Sequence, residues 1–240
     1  MSENIKNKEE MITKLFEAGA HFAYSKSRRH PSVSPYIFGV KDNVEIFDLE
    51  KTVELLDSAK GFVAQLAREG KQILFVGGKH ESLGIIKEVA ESIDMPFVAG
   101  RWIGGTLTNF AEVRSRVNKL NELSEKKEKG LLGGYTKKER LLIDRDIEKL
   151  QKKFGGLDTM KKLPAAMFVI DSDREDIAVA EALLLNIPVI SISGSDCNIE
   201  KITYPIVAND VSVASITLLT KEIKESYLAG KEEAGEAKTA

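Results

Sequence analysis

Gln72-Ile73-Leu74-Phe75-Val76-Gly77-Gly78-Lys79 decides the fold. Its apolar residues run on without polar alternation, the pattern of a strand buried on both faces, and the glycines end it. Upstream, residues 50–68 place Val53, Leu56, Ala59, Val63 and Leu66 at helical spacing, and Gly70 stops the helix; downstream, residues 79–92 are again helical. Short apolar runs recur at residues 97–98, 167–170, 189–192 and 206–207, with helices at 175–185 and 211–227. Strands alternating with helices predict a parallel sheet joined by right-handed crossovers and covered on both faces, a three-layer flavodoxin-like α/β fold.

Toward the N-terminus, Met11, Leu15 and Phe16 predict an amphipathic helix over residues 8–18, ended by Gly19. The apolar runs 36–40 and 44–49 flank Lys41-Asp42-Asn43, which predicts a β-hairpin. Residues 106–153 break the strand–helix alternation, because two long charged helical segments flank Gly130-Leu131-Leu132-Gly133-Gly134 with no strand between. Val113, Val117, Leu120 and Leu123 form one apolar stripe and Ile143, Ile147, Leu150 and Phe154 another. That spacing predicts an inserted antiparallel helical hairpin, a coiled coil, carried by a discontinuous α/β domain of residues 8–105 and 154–228. Residues 1–7 and 229–240 are expected to be flexible tails, the latter small and charged with no core-forming side chain.

The chain has 240 residues, of which 42% are hydrophobic, enough for a substantial core. One cysteine excludes an internal disulfide, and three scattered histidines make no metal-ligand set, so no metal or cofactor is expected. No apolar run is long enough for a membrane span and the first residues are charged, so a cytoplasmic location is expected. The overall charge is nearly balanced, 35 basic against 37 acidic residues, whereas residues 101–153 hold fourteen Lys and Arg against eight Asp and Glu. The loop from His21 to Lys41 carries Lys26, Arg28, Arg29 and Lys41 and no acid. One basic face on an otherwise acidic protein suits a chain that lies against RNA on one side.

Residues 101–109, Arg-Trp-Ile-Gly-Gly-Thr-Leu-Thr-Asn, gather a cation, the only tryptophan, a glycine pair and three hydrogen-bonding side chains. A helix-entry loop with a half-buried tryptophan accounts for the glycines and one threonine. It does not account for Arg101, Thr108 and Asn109 together beside an aromatic, a set suited to phosphate and ribose.

Enzyme motifs fail in detail. A phosphate-cradling loop before Lys79 needs a glycine at position 73, which is Ile73, and a Ser or Thr after the lysine, which is His80. The glycines at 77, 78 and 84 do not form the dinucleotide fingerprint, leaving Lys79 at a helix start as a candidate for an RNA phosphate. Asp171 and Asp173 follow a strand but read more simply as helix caps; His21 and Cys197 lack catalytic partners in sequence. No catalytic residue is expected.

The stretch 101–109 resembles the signature of the bacterial small-subunit ribosomal protein S2 family almost letter for letter. The resemblance continues through Glu17-Ala18-Gly19-Ala20-His21-Phe22, Tyr36-Ile37-Phe38-Gly39, Asp48-Leu49-Glu50-Lys51-Thr52, Phe154-Gly155-Gly156 and Tyr204-Pro205-Ile206. It implies a structural, non-enzymatic ribosomal component that binds small-subunit ribosomal RNA and neighbouring ribosomal proteins, with the large RNA-binding protein S-one a further candidate partner, and that is not a homo-oligomer. The RNA-contact candidates are Lys26, Arg28, Arg29 and His30; Lys79; Arg101, Trp102, Gly104, Gly105, Thr106, Thr108 and Asn109; and Arg114, Arg116, Lys137, Lys138 and Arg140 on the arm. The chain departs from the family at Ala23-Tyr24-Ser25, Arg29-His30-Pro31, Gly194-Ser195-Asp196 and Val207-Ala208, which puts local RNA contacts and the partner surface in question but not the fold.

Overall fold

The structure, a computed structural model, describes residues 2–132 and 134–239. Helix α1 (Ser2–Glu17) leads into the hairpin β1 (Ile37–Lys41) and β2 (Val44–Phe47). Then follow α2 (Leu49–Arg68), β3 (Ile73–Gly77), α3 (His80–Ser92), β4 (Phe97–Ala99), α4 (Phe110–Glu128), α5 (Lys137–Phe154), β5 (Ala166–Ile170), α6 (Asp176–Leu184), β6 (Val189–Ser193), β7 (Tyr204–Val207) and α7 (Val213–Thr239).

Local chemistry sets most boundaries. The hairpin turns at Asp42 and Asn43, both at positive φ (51° and 63°), the conformation that matches strand twist and that these two residue types tolerate best. Asp48 caps α2 by accepting the Glu50 N–H at 3.1 Å. Gly70, at φ 64°, closes the other end, where Lys71 N–H donates back to the Leu66 carbonyl.

The five sheet strands are parallel in the order β4-β3-β5-β6-β7, which in chain order is the 2-1-3-4-5 arrangement of flavodoxin-like sheets. Both faces are covered. Ile73 and Phe75 of β3, with Phe168 and Ile170 of β5, point into a core shared with α2, α3 and α7. Their neighbours Leu74, Val76, Met167 and Val169 point into a second core with α6, Trp102 and the base of α4 and α5. This alternation explains why the central strands read as unbroken apolar runs.

Helices α4 and α5 pack on one another through buried Val113, Val117 and Leu120 and half-buried Ile143, Ile147 and Leu150, with Lys127 and Asp144 paired at 2.8 Å. A capping box between Thr136 and Glu139 starts α5. At the base, the Arg114 guanidinium donates to the carbonyls of Asp158 and Met160, and Asn121 donates to the Asp158 carboxylate at 2.6 Å.

The ends differ from expectation. Helix α1 begins at Ser2, and α7 continues through the predicted tail to Thr239. The signal missed is a glycine acting as a packing residue: Gly230 is buried against the backbone of Ala64 in α2, and Arg68 pairs with Glu233 at 2.7 Å beyond it. A β-carbon at Gly230 would overlap the Ala64 carbonyl oxygen. Gly230→Ala, worth about 1 kcal/mol of gain in an open helix, is therefore expected to cost about 1–3 kcal/mol through forced separation of α7 from α2. Denaturant unfolding measures the sign, and a net gain would contradict this packing.

Candidate nucleic-acid interface

The loop between β4 and α4 carries the signature residues, and a single carboxylate organises it. Glu181, on the apolar helix α6, accepts the Trp102 indole N–H (3.1 Å) and Gly105 N–H (2.7 Å) on one oxygen. The other oxygen accepts the N–H groups of Leu107 and Thr108 (both 3.0 Å) and the Thr108 hydroxyl (3.1 Å). Gly105 sits at φ 90°, which a residue with a β-carbon adopts only under strain. Burial alone would raise the Glu181 pKa, but the donors from Thr108, Trp102, Gly105 and Leu107 hold it below the ordinary carboxylate value.

This places several predicted contact residues inside the protein. Trp102 is buried in the second core, and buried Thr106 donates its hydroxyl to the Ile103 carbonyl at 2.6 Å. Thr108 is exposed but spends its hydroxyl on Glu181. Arg101, Gly104 and Asn109 are left facing solvent, with Gly105 half-buried.

Lys79 is corrected outright. It lies buried, its ammonium 2.7 Å from both Asp171 and Asp210 and donating also to the Asp210 carbonyl, so it is not available to a phosphate. Burial lowers the Lys79 pKa, but Asp210 and Asp171 outweigh it and the net direction is upward. One ammonium cannot fully compensate two carboxylates, and burial leaves Asp210 pushed up to about 6. Asp171, at φ 67°, also accepts the N–H groups of Asp173 and Arg174, which closes the turn before α6; the N-cap of α6 itself is Glu175 and carries no side-chain cap, so the helix cap predicted at Asp171 and Asp173 is not made. Asp171, Cys197 and Asp210 bring ligand-type atoms within 4.8 Å of one another, but the cation among them is Lys79. The Cys197 thiol, pushed up to about 12 by burial, stays protonated.

In the 26–30 loop, Arg29 is also committed, at 2.8 Å from the fully buried Glu45. Arg28 lies over the Tyr24 ring at 4.5 Å and 4.0 Å from Asp196, still largely exposed. His30 receives the Ser32 N–H and shares a hydrogen bond with the Ser32 hydroxyl, while Lys26 is exposed. On the arm, Arg114 braces the base as described, Arg116 pairs with Glu112 at 2.8 Å, and Arg140 donates to the Tyr135 carbonyl at 3.0 Å. Lys137 and Lys138 are exposed. The predicted residues thus form several separate surfaces. Glu181, Glu45 and Asp210 were missed; the one legible signal was Glu181 itself, a lone acid in the apolar run Ile177-Ala178-Val179-Ala180-Glu181-Ala182-Leu183-Leu184.

Fold and site together define a doubly wound α/β domain that holds a glycine-rich loop between β4 and α4. The family model described as ribosomal protein S2 matches residues 15–230. The small ribosomal subunit protein uS2 of Helicobacter hepaticus is 42% identical over 219 residues, 91% of this chain and 83% of that protein. Those of Chloroherpeton thalassium (44% over 214 residues, 89% and 86%) and Helicobacter acinonychis (43% over 218 residues, 91% and 89%) are similarly close. The chain belongs to the ribosomal protein S2 family.

Two substitutions test these networks. Glu181→Gln removes charge and acceptor capacity facing donors that cost about 1–3 kcal/mol each when left unmet, so a loss of about 3 kcal/mol is expected by denaturant unfolding. A carboxylate held below its ordinary pKa contributes stability in full above that value and loses it as pH falls through the folded pKa; the Gln variant should lack this part of the acid limb. Lys79→Met strands two buried carboxylates and should cost about 3–5 kcal/mol at neutral pH. The loss should shrink near about pH 5, where Asp210 takes up a proton; an equal loss at both pH values would argue against the triad.

Proposed function

We propose that this protein is a structural constituent of the small ribosomal subunit, bound to ribosomal RNA and to neighbouring ribosomal proteins, and that it works without catalytic turnover in the cytoplasm. The family match over residues 15–230 carries this reading. The relatives' names, small ribosomal subunit protein uS2, support it, as does the absence of a complete phosphate-cradling or dinucleotide motif around Gly77 and Gly78.

In this reading the RNA is met by the cations that remain exposed. These are Lys26 and Arg28 on the basic loop, Arg101 beside the signature glycines, and Lys137 and Lys138 at the start of α5. Trp102, Thr106, Arg29, Lys79 and Arg114, with the Glu181-bound hydroxyl of Thr108, hold those surfaces in place. The α4–α5 unit acts as an inserted coiled-coil arm between the halves of a discontinuous α/β domain, and one copy of the chain is used per subunit. Its exposed Leu131, Tyr135, Leu141 and Leu142 make the arm suitable for protein as well as RNA contact. S-one is one candidate for that role.

A tagged full-length copy expressed in bacterial cells tests the proposal by co-sedimentation with ribosomes on a sucrose gradient, repeated at high salt. Retention near one copy per small subunit in both conditions is expected. Recovery only at the top of the gradient would overturn it.

A further inference from the structure

The crevice outside the carboxyl ends of β3 and β5 is where this class of sheet offers a ligand site, because the winding reverses between those two strands. Its inner part is occupied by the Lys79 triad. Its outer part remains open as a cleft of about 290 Å³ between Gly78, Trp102 and the turn Arg174-Glu175-Asp176-Ile177. We propose that this cleft binds a phosphate of the RNA backbone, with Arg101 and Arg174 as the contacting cations. The inference rests on the RNA-binding reading above and names one of its subsites.

Arg101 and Arg174 both line the cleft, both are exposed, and among the described residues neither forms a hydrogen bond or ion pair through its side chain. That separates them from Arg29, Arg68, Arg114 and Arg116, whose guanidinium groups are engaged within the protein. Two uncommitted guanidinium groups in one concavity supply the forked donors that phosphate oxygens accept. The walls are held in place: Trp102 is tied to Glu181, and Glu175 is nearly fully buried beside Gly78. A β-carbon at Gly78 would overlap the Glu175 carboxyl, so a larger residue there would force that side chain to shift.

One opposing charge is weakened. Burial pushes Glu175 up to about 7, against the attraction of the neighbouring Arg174, so near neutral pH it carries less than a full charge. Asp176 turns a carboxylate oxygen onto the Ile177 N–H at 2.7 Å. Arg101 also borders a second cleft, of about 470 Å³, with Lys87, Lys152 and Lys153 on its rim and Glu91 and Glu148 among its acids. Arg101 therefore lines both the proposed cleft and a neighbouring concavity with an excess of cations, an arrangement that suits a chain of successive phosphates better than a single free anion.

The chain's only tryptophan forms one wall, so its fluorescence reports occupancy. Full-length protein is titrated with RNA purified from small ribosomal subunits, and separately with inorganic phosphate, over a range of salt. Wild type is expected to show RNA-dependent change in Trp102 emission. Arg101→Ala and Arg174→Ala should each weaken RNA binding by about tenfold and lower the salt slope by about one phosphate's worth. Arg174→Lys should recover part of the loss, and unfolding midpoints should be unchanged. Equal affinity and slope in wild type and both variants would overturn this subsite while leaving the ribosomal reading intact. A response to inorganic phosphate alone would overturn its assignment to RNA, and a wild type that binds no ribosomal RNA would remove both.

Discussion

One carboxylate receiving five hydrogen bonds holds the loop between β4 and α4 together. Among the described residues Glu181 faces no cation within ion-pair distance; its charge is met instead by amide, indole and hydroxyl donors drawn from residues 102–108. Charge-assisted bonds of this kind are about twice as strong as neutral ones, and burial sharpens the cost of losing them. Because the donors span both sides of Gly105, they fix the turn itself and with it the direction in which α4 leaves the domain. The same bond to the indole sets Trp102 in the core beneath the sheet. Loop shape, arm direction and core packing are coupled through one side chain.

The carboxyl edge of the sheet follows the same logic a few residues away. A flavodoxin-like sheet presents a crevice between its first and third strands, and here Lys79, Asp171 and Asp210 fill the inner part with a buried ion triad. Ion pairs of this kind confer little net stability and strongly penalise any structure that separates their members. The triad joins the end of β3, the end of β5 and the loop after β7. Glu45 and Arg29 similarly join the hairpin to the basic loop. Internal charge in this protein is used to fasten loops, which leaves a smaller set of arginines and lysines free for partners.

The fold was largely legible in the sequence, since unbroken apolar strands and helical periodicity each follow directly from burial on two faces or one. The hairpin was legible from Asp42 and Asn43, whose preference for positive φ is local. The extent of α7 was not, because residues 229–240 are small and charged with no core-forming side chain, and only the contact of Gly230 with Ala64 in α2 makes that glycine a packing residue. The site was legible as a stretch and not as roles. Residues 101–109 stood out as a stretch, yet hydrogen-bonding side chains suited to RNA are equally suited to an internal carboxylate, and the sequence separation of Glu181 from Thr108 hides which applies. Lys79 was misread for the same reason: its partners Asp171 and Asp210 come together only when β3, β5 and β7 are aligned.

Amide hydrogen exchange of the native full-length protein, resolved residue by residue across 101–109, tests the role of Glu181 most directly. Protection at Gly105, Leu107 and Thr108 well above that at Gly104, lost together in Glu181→Gln while the amides of β3 and β5 stay protected, is the predicted result. Rapid exchange at all three amides in the wild type would show that the carboxylate does not hold the loop, and would contradict the account.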